Sequence, residues 1–147
     1  FGVGDDDRAE EAMLRADPEA RPALALAAYF FAYIPMLLGI VAIAAGLKTA
    51  IGHPGATLTA GPAVALAGGV TLFLIGDVLF RWVLLYFPGQ PASADLPSGI
   101  PWYRAAAAAA ALAAWPVATA VDAAAGIALL TAIVAAALVI EQATVKA

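Results

Sequence analysis

Between Ala23 and Ile51 the chain runs for 29 residues with Lys48 as its only charge. An apolar run beyond about 18 residues marks a helix able to cross a hydrocarbon core about 30 Å thick. At 1.5 Å per residue this one reaches about 43 Å, so it must tilt, kink or protrude. Pro35 is expected to supply a kink, because in a helix interior it has no N–H to offer Phe31 and its ring crowds that carbonyl. Gly39 and Gly46 leave room for a neighbouring helix to approach closely.

Three more apolar segments follow. Gly61-Pro62 places proline at a first helical position and opens a second span, with Trp82, Tyr86 and Phe87 suited to an aromatic belt at its far end. The segment "PGQPASADLPSGIP" has four prolines and no periodicity, and reads as a loop. Trp102, Tyr103 and Arg104 then form an interfacial anchor before an alanine-rich third span, which is only weakly apolar and must sit among other helices. Asp122 marks a turn and caps the fourth span. A single helix over residues 104–140 would reach about 55 Å, too long for one crossing. The expected fold is therefore an all-α, multi-pass transmembrane bundle. Residues 1–21 form a charged connector helix, and about four spanning helices (23–51, 62–87, 103–121 and 123–141) fill residues 22–147. The composition agrees, with 64% hydrophobic and 12% charged residues, against about 25% charged in a soluble domain.

Several function classes are disfavoured. The net charge is −4 and the acidity gathers near the N-terminus, so no basic patch favours nucleic acid and the lipid bilayer is the expected partner. There is no cysteine. His53 is the only histidine and stands in a His-Pro-Gly turn, so no metal site is expected. No Ser/His/Asp constellation suggests nucleophilic catalysis, and Tyr29, Tyr33 and Trp115 read as packing or interface residues. The expectation is a non-enzymatic protein without a cofactor. In the connector, Asp5–Asp7 can cap a helix over residues 8–16 supported by Glu11 and Arg15. Asp17-Pro18 and Arg21-Pro22 then end that helix. With four spans, Arg8, Arg15, Arg21, Arg81, Arg104 and Lys146 all fall on one side and only Lys48 on the other, which puts both ends of the fragment in the cytoplasm.

The second span carries its own problem in "GGVTLFLIGDVLFRWVLLYF", where Asp77 and Arg81 interrupt an apolar stretch. One charge near a membrane centre costs about 2.5–3.5 kcal/mol on insertion scales. Spaced i, i+4, with the acid N-terminal to the base, the two share a helix face and can pair. That face runs through Thr71 and Leu74, with Gly69 and Gly76 nearby, and should look into the bundle. Two uses fit: an ion-, proton- or substrate-handling site, or a structural pair that fixes the helix. Tyr33 and Thr71 are the accompanying candidates for a polar lining, beside the Pro35 kink.

The stretch from Arg8 to Trp82 resembles the C-terminal part of the bacterial low-temperature-requirement A (LtrA) family. The likeness rests on a charged helix, an aromatic stretch ending "YIPMLLGI", a "GLKTAIGHPG" turn, and "GGVTLFLIGDVLFRW". It implies a multi-pass protein of the bacterial cytoplasmic (inner) membrane linked to growth in the cold, with further transmembrane helices upstream of Phe1. It also implies histidines near the positions of Tyr33 and Asp77. This sequence departs at both, so any proton relay would fall to Asp77. Transport of a small solute or ion is the first functional expectation, and a non-transporting component supporting the envelope in the cold is the alternative.

Overall fold

The computed structural model describes Glu10, residues 13–86 and residues 102–145, with residues 85, 86, 144 and 145 described by backbone only. The acidic cluster at Asp5–Asp7, Glu11 of the expected Glu11/Arg15 pair, Phe87 and the proline-rich loop lie outside the described residues. The described residues are helical apart from short connections. α1 (Arg21–Leu26) runs into a π-helical turn (Ala27–Phe31), then α2 (Tyr33–Gly52). α3 (Ala60–Tyr86) returns, α4 (Trp102–Ala113) and the short α5 (Trp115–Ala120) cross again, and α6 (Ala123–Val145) runs back. Among the described residues, three stretches are long and apolar enough to cross a membrane: Arg21–Gly52, Ala60–Leu84 and Ala123–Ala143. The alanine-rich pass is divided instead, because Pro116 cannot continue a helical ladder and a turn at Ala114 separates α4 from α5.

The first long pass departs from α-geometry in the turn before Pro35, ending at Phe31, whose carbonyl lies four residues before the proline. The Ala32 N–H donates to the Ala27 carbonyl at 3.2 Å, the bond that closes the π-turn. α2 restarts at Tyr33, which leaves Pro35 in its first turn, where a missing N–H breaks no intrahelical bond. Before it, Asp17–Ala20 form a turn and α1 opens with proline in its first positions. The Arg21 guanidinium donates to the Ala16 and Leu14 carbonyls, each at 3.1 Å, and so closes the end of the preceding helical residues.

α2 and α3 pack antiparallel through glycine. A Cβ on Gly39 would lie 2.6 Å from the Gly69 carbonyl oxygen, one on Gly69 2.8 Å from that of Gly39, and one on Gly76 2.9 Å from the Met36 amide. Gly46 faces Pro62 and Leu66 in the same manner. Small residues thus let two backbones touch where lipid offers no hydrophobic drive for association. α3 is the central element, with half of its apolar stretch buried against 22% for each of the other two long passes.

The interior has three apolar layers. At one end Leu24, Ala28 and Ala32 meet Phe80, Val83 and Leu84. In the middle lie Leu74, Ala107, Ala108 and Ala137. At the other end Ala50, Leu58, Ala63 and Leu66 pack with Ala111, Ala118, Ala123 and Leu130. There the two short connections clasp each other. Ala123 and Ala124 donate to the carbonyls of Ala56 and Pro54, and Thr57 bridges Asp122. Asp122 caps α6 as its position predicts, accepting from the Ala125 amide at 2.8 Å.

Candidate functional site

Asp77 projects from α3 into the interior and is 1% exposed. The face foreseen for it is buried: Thr71 and Leu74 are also closed off from the surface. The Thr71 hydroxyl lies 2.8 Å from the Ala67 carbonyl on its own helix and 3.1 Å from the Ala108 carbonyl on α4, which ties those helices at mid-depth. Arg81, one turn on, brings its Nε to 3.6 Å from Asp77 Oδ2.

The pair is part of something larger. Arg104, in the first turn of α4, donates from Nη1 to Asp77 Oδ2 and from Nη2 to Glu141 Oε2 at 2.5 Å. Glu141, near the end of α6, also accepts at Oε1 from Arg81 Nη2 at 3.0 Å. Each acid therefore faces both bases, and among the described residues two acids stand against two bases. Three helices contribute, α3 with two residues and α4 and α6 with one each. Burial of any one of these charges alone would be costly, and mutual charge-assisted hydrogen bonds offset that cost only if the set is complete.

Arg104 corrects the reading of "WYR" as an interfacial anchor. It is 4% exposed, whereas Trp102 beside it is 66% exposed. An alanine-rich helix can approach α3 closely enough for its one arginine to reach inward, so the guanidinium finds carboxylates before it finds water. Glu141, which the sequence marks only as the end of a span, is the other residue missed. A signal existed. In the four-pass topology Arg81, Arg104 and Glu141 all fall at the same end of their helices, and two acids there balance two bases.

Tyr33 and Pro35 stand apart from this cluster along the chain but share its end of the bundle. Tyr33 stacks with Tyr29 at 6.2 Å between centroids, and both meet buried Phe80 edge-on at 6.1 and 5.8 Å. The rings thus wedge the π-turn against α3 at Phe80, next to Arg81 and three residues from Asp77. His53 and Lys48 are exposed. Among the described residues no three His, Cys, Asp or Glu side chains gather as a metal would require. Two outer grooves of about 420 and 430 Å³ are lined chiefly by apolar side chains such as Ile75, Leu79 and Leu112 in one and Leu47, Val70 and Leu138 in the other. The charged cluster is the one place among the described residues where several polar groups converge inside.

Comparison with known proteins agrees with the resemblance drawn from the sequence. The family model described as bacterial low temperature requirement A protein (LtrA) matches residues 1–140. The chain belongs to the LtrA family. No curated protein and no solved structure matches it. This LtrA chain is thus a helical protein with membrane-spanning capacity, and its buried cluster of Asp77, Arg81, Arg104 and Glu141 is its candidate site.

Proposed function

We propose that this LtrA protein moves a small solute or ion across the bacterial cytoplasmic membrane, with Asp77, Arg81, Arg104 and Glu141 as the charged element on its route. The observation that carries the reading is the convergence of four charges from three helices inside an otherwise apolar bundle. Ionisable side chains within membrane segments are costly, and substrate and ion routes are a recurrent reason for their presence there. The reading assigns no catalytic residue, and it places both ends of the chain at the cytoplasmic face by the distribution of basic residues.

A second reading has one specific observation in its favour. Among the described residues the cluster sets two acids against two bases, and a balanced network can simply fix helix positions. The chain would then be a non-transporting component that supports the envelope in the cold. Growth at low temperature separates the two. A deletion strain would carry the full-length gene as wild type, Asp77→Asn, Arg104→Gln, or the swap Asp77→Arg with Arg104→Asp, with membrane levels quantified. Transport requires each charge at its own place, so the swap should accumulate yet fail to restore growth. Restored growth in the swap would favour the structural reading.

A further inference from the structure

Lipid tails are as apolar as leucine, so helices in a bilayer gain little hydrophobic energy by staying together, and close packing or polar contacts decide which of them are held. α2 and α3 are held by packing, with backbone against backbone at Gly39, Gly69 and Gly76. α4 is tied to α3 at mid-depth by the Thr71 hydroxyl, 3.1 Å from the Ala108 carbonyl. The middle of α6 has neither fastening. Its single glycine, Gly126, would place a Cβ 3.6 Å from that of Ala118, an ordinary contact. The exposed Thr131 hydroxyl donates to the Ile127 carbonyl of its own helix at 2.9 Å. Over residues 124–140 only Gly126, Leu130 and Ala137 are buried. A groove of about 430 Å³ runs between Val134 and Leu138 on α6 and Ile43 and Val70 on the α2–α3 pair.

Among the described residues, the polar contacts that join α6 to other elements lie at its two ends, and they differ in kind. At its start Ala123 and Ala124 donate to the Ala56 and Pro54 carbonyls at 2.9 and 3.1 Å, and Thr57 bridges Asp122. This clasp joins backbone to backbone beside Val121, an extended residue (φ −110°, ψ 169°) between α5 and α6. Such element termini absorb the dihedral change when a helix swings. At the far end the contact is made by a side chain, Glu141, on Arg81 at 3.0 Å and Arg104 at 2.5 Å. Glu141 is also the most open of the four charges, at 14% exposure. We propose that α6 is a strap, hinged at the clasped end and latched at the charged end by Glu141, which pivots away from α3 and α4 when the latch releases. Opening parts the layer of Leu74, Ala107, Ala108 and Ala137 beside sealed Asp77. Closing needs only that the carboxylate meet the two guanidiniums again. The strap does not depend on the transport reading, since its consequence is a change of distance.

The test measures α3–α6 distances at both ends by pulsed electron paramagnetic resonance, on purified full-length protein in phosphatidylcholine nanodiscs. This chain has no cysteine to compete with introduced ones. Ile75→Cys with Val139→Cys reports toward the charged end, and Val64→Cys with Ala128→Cys toward the clasped end; all four positions are exposed. Val139 lies about 24 Å along α6 from Ala123, so a pivot of about 10° moves it by about 4 Å and Ala128 by only about 1 Å. Each pair should give one distance in the otherwise unchanged protein. Adding Glu141→Gln should bring in a population about 4 Å longer for Ile75/Val139, with Val64/Ala128 changed by about 1 Å or less. If Glu141→Gln does not accumulate, Glu141→Asp carries the same readout, because its shorter arm cannot reach both guanidiniums. Unchanged distances at both ends would show that Glu141 is not what holds α6. Equal lengthening at both, or a change confined to the clasped end, would show that α6 does not pivot there. Each of these results would overturn the proposal.

Discussion

Arg104 donates through two different nitrogens to carboxylates on two different helices, so one planar group ties α4 to both α3 and α6. A lysine keeps the charge but offers a single compact ammonium that cannot reproduce that fork. Arg104→Lys should therefore lower thermal stability by an amount equivalent to about 1–3 kcal/mol. Arg104→Gln should cost more, about 3–5 kcal/mol, because it leaves buried Asp77 and half-buried Glu141 to share Arg81. Thermal unfolding of the full-length protein in detergent checks both; equal stability of the wild type and the lysine variant would contradict the forked geometry. At this scale the sequence was half informative. Four-residue spacing brings Asp77 and Arg81 to one face by helix geometry alone. Arg104 is 27 residues from Asp77 and Glu141 is 60 from Arg81, and such distances are bridged by packing that no local spacing reveals.

At the scale of elements, the contact between α2 and α3 depends on which glycines face it. Gly68 and Gly69 are neighbours in sequence with opposite surroundings. A Cβ on Gly68 meets open space, whereas one on Gly69 would lie 2.8 Å from both the Gly39 carbonyl and the Ile43 amide. Gly68→Ala should accordingly be neutral or stabilising by up to about 1 kcal/mol, since alanine favours the helix. Gly69→Ala should destabilise by about 1–3 kcal/mol, because the obstructing atoms are backbone and the helices must separate. Thermal unfolding of the two variants side by side is the check. The helix-packing role of Gly39, Gly46, Gly69 and Gly76 was legible, since small residues in an apolar run have few other uses. The irregularity in the first pass was legible in Pro35, whose missing N–H frees the Phe31 carbonyl, but its form as a π-turn over Ala27–Phe31 leaves no mark in "AAYFF". The division of the third pass at Trp115-Pro116 was legible in principle, as Pro116 stands inside an otherwise continuous alanine-rich run.

For the whole molecule, apolar run lengths sufficed to place the chain among helical membrane proteins, because run length and polarity are local properties. The way the passes fit together was not available from them. The two short connections at one end clasp through backbone hydrogen bonds, and at the opposite end the charges of three helices close on one another. The chain is thus fastened at both ends by polar contacts around an apolar middle. The proposed function depends on the charges acting as one unit. A double-mutant cycle on the full-length protein tests it most directly, with the wild type, Asp77→Asn, Arg104→Gln and the double variant compared by thermal unfolding. The two losses should overlap, with the double variant more stable than their sum by about 1–3 kcal/mol. Losses that add to within about 0.5 kcal/mol would show that Asp77 and Arg104 do not act together and would contradict the cluster.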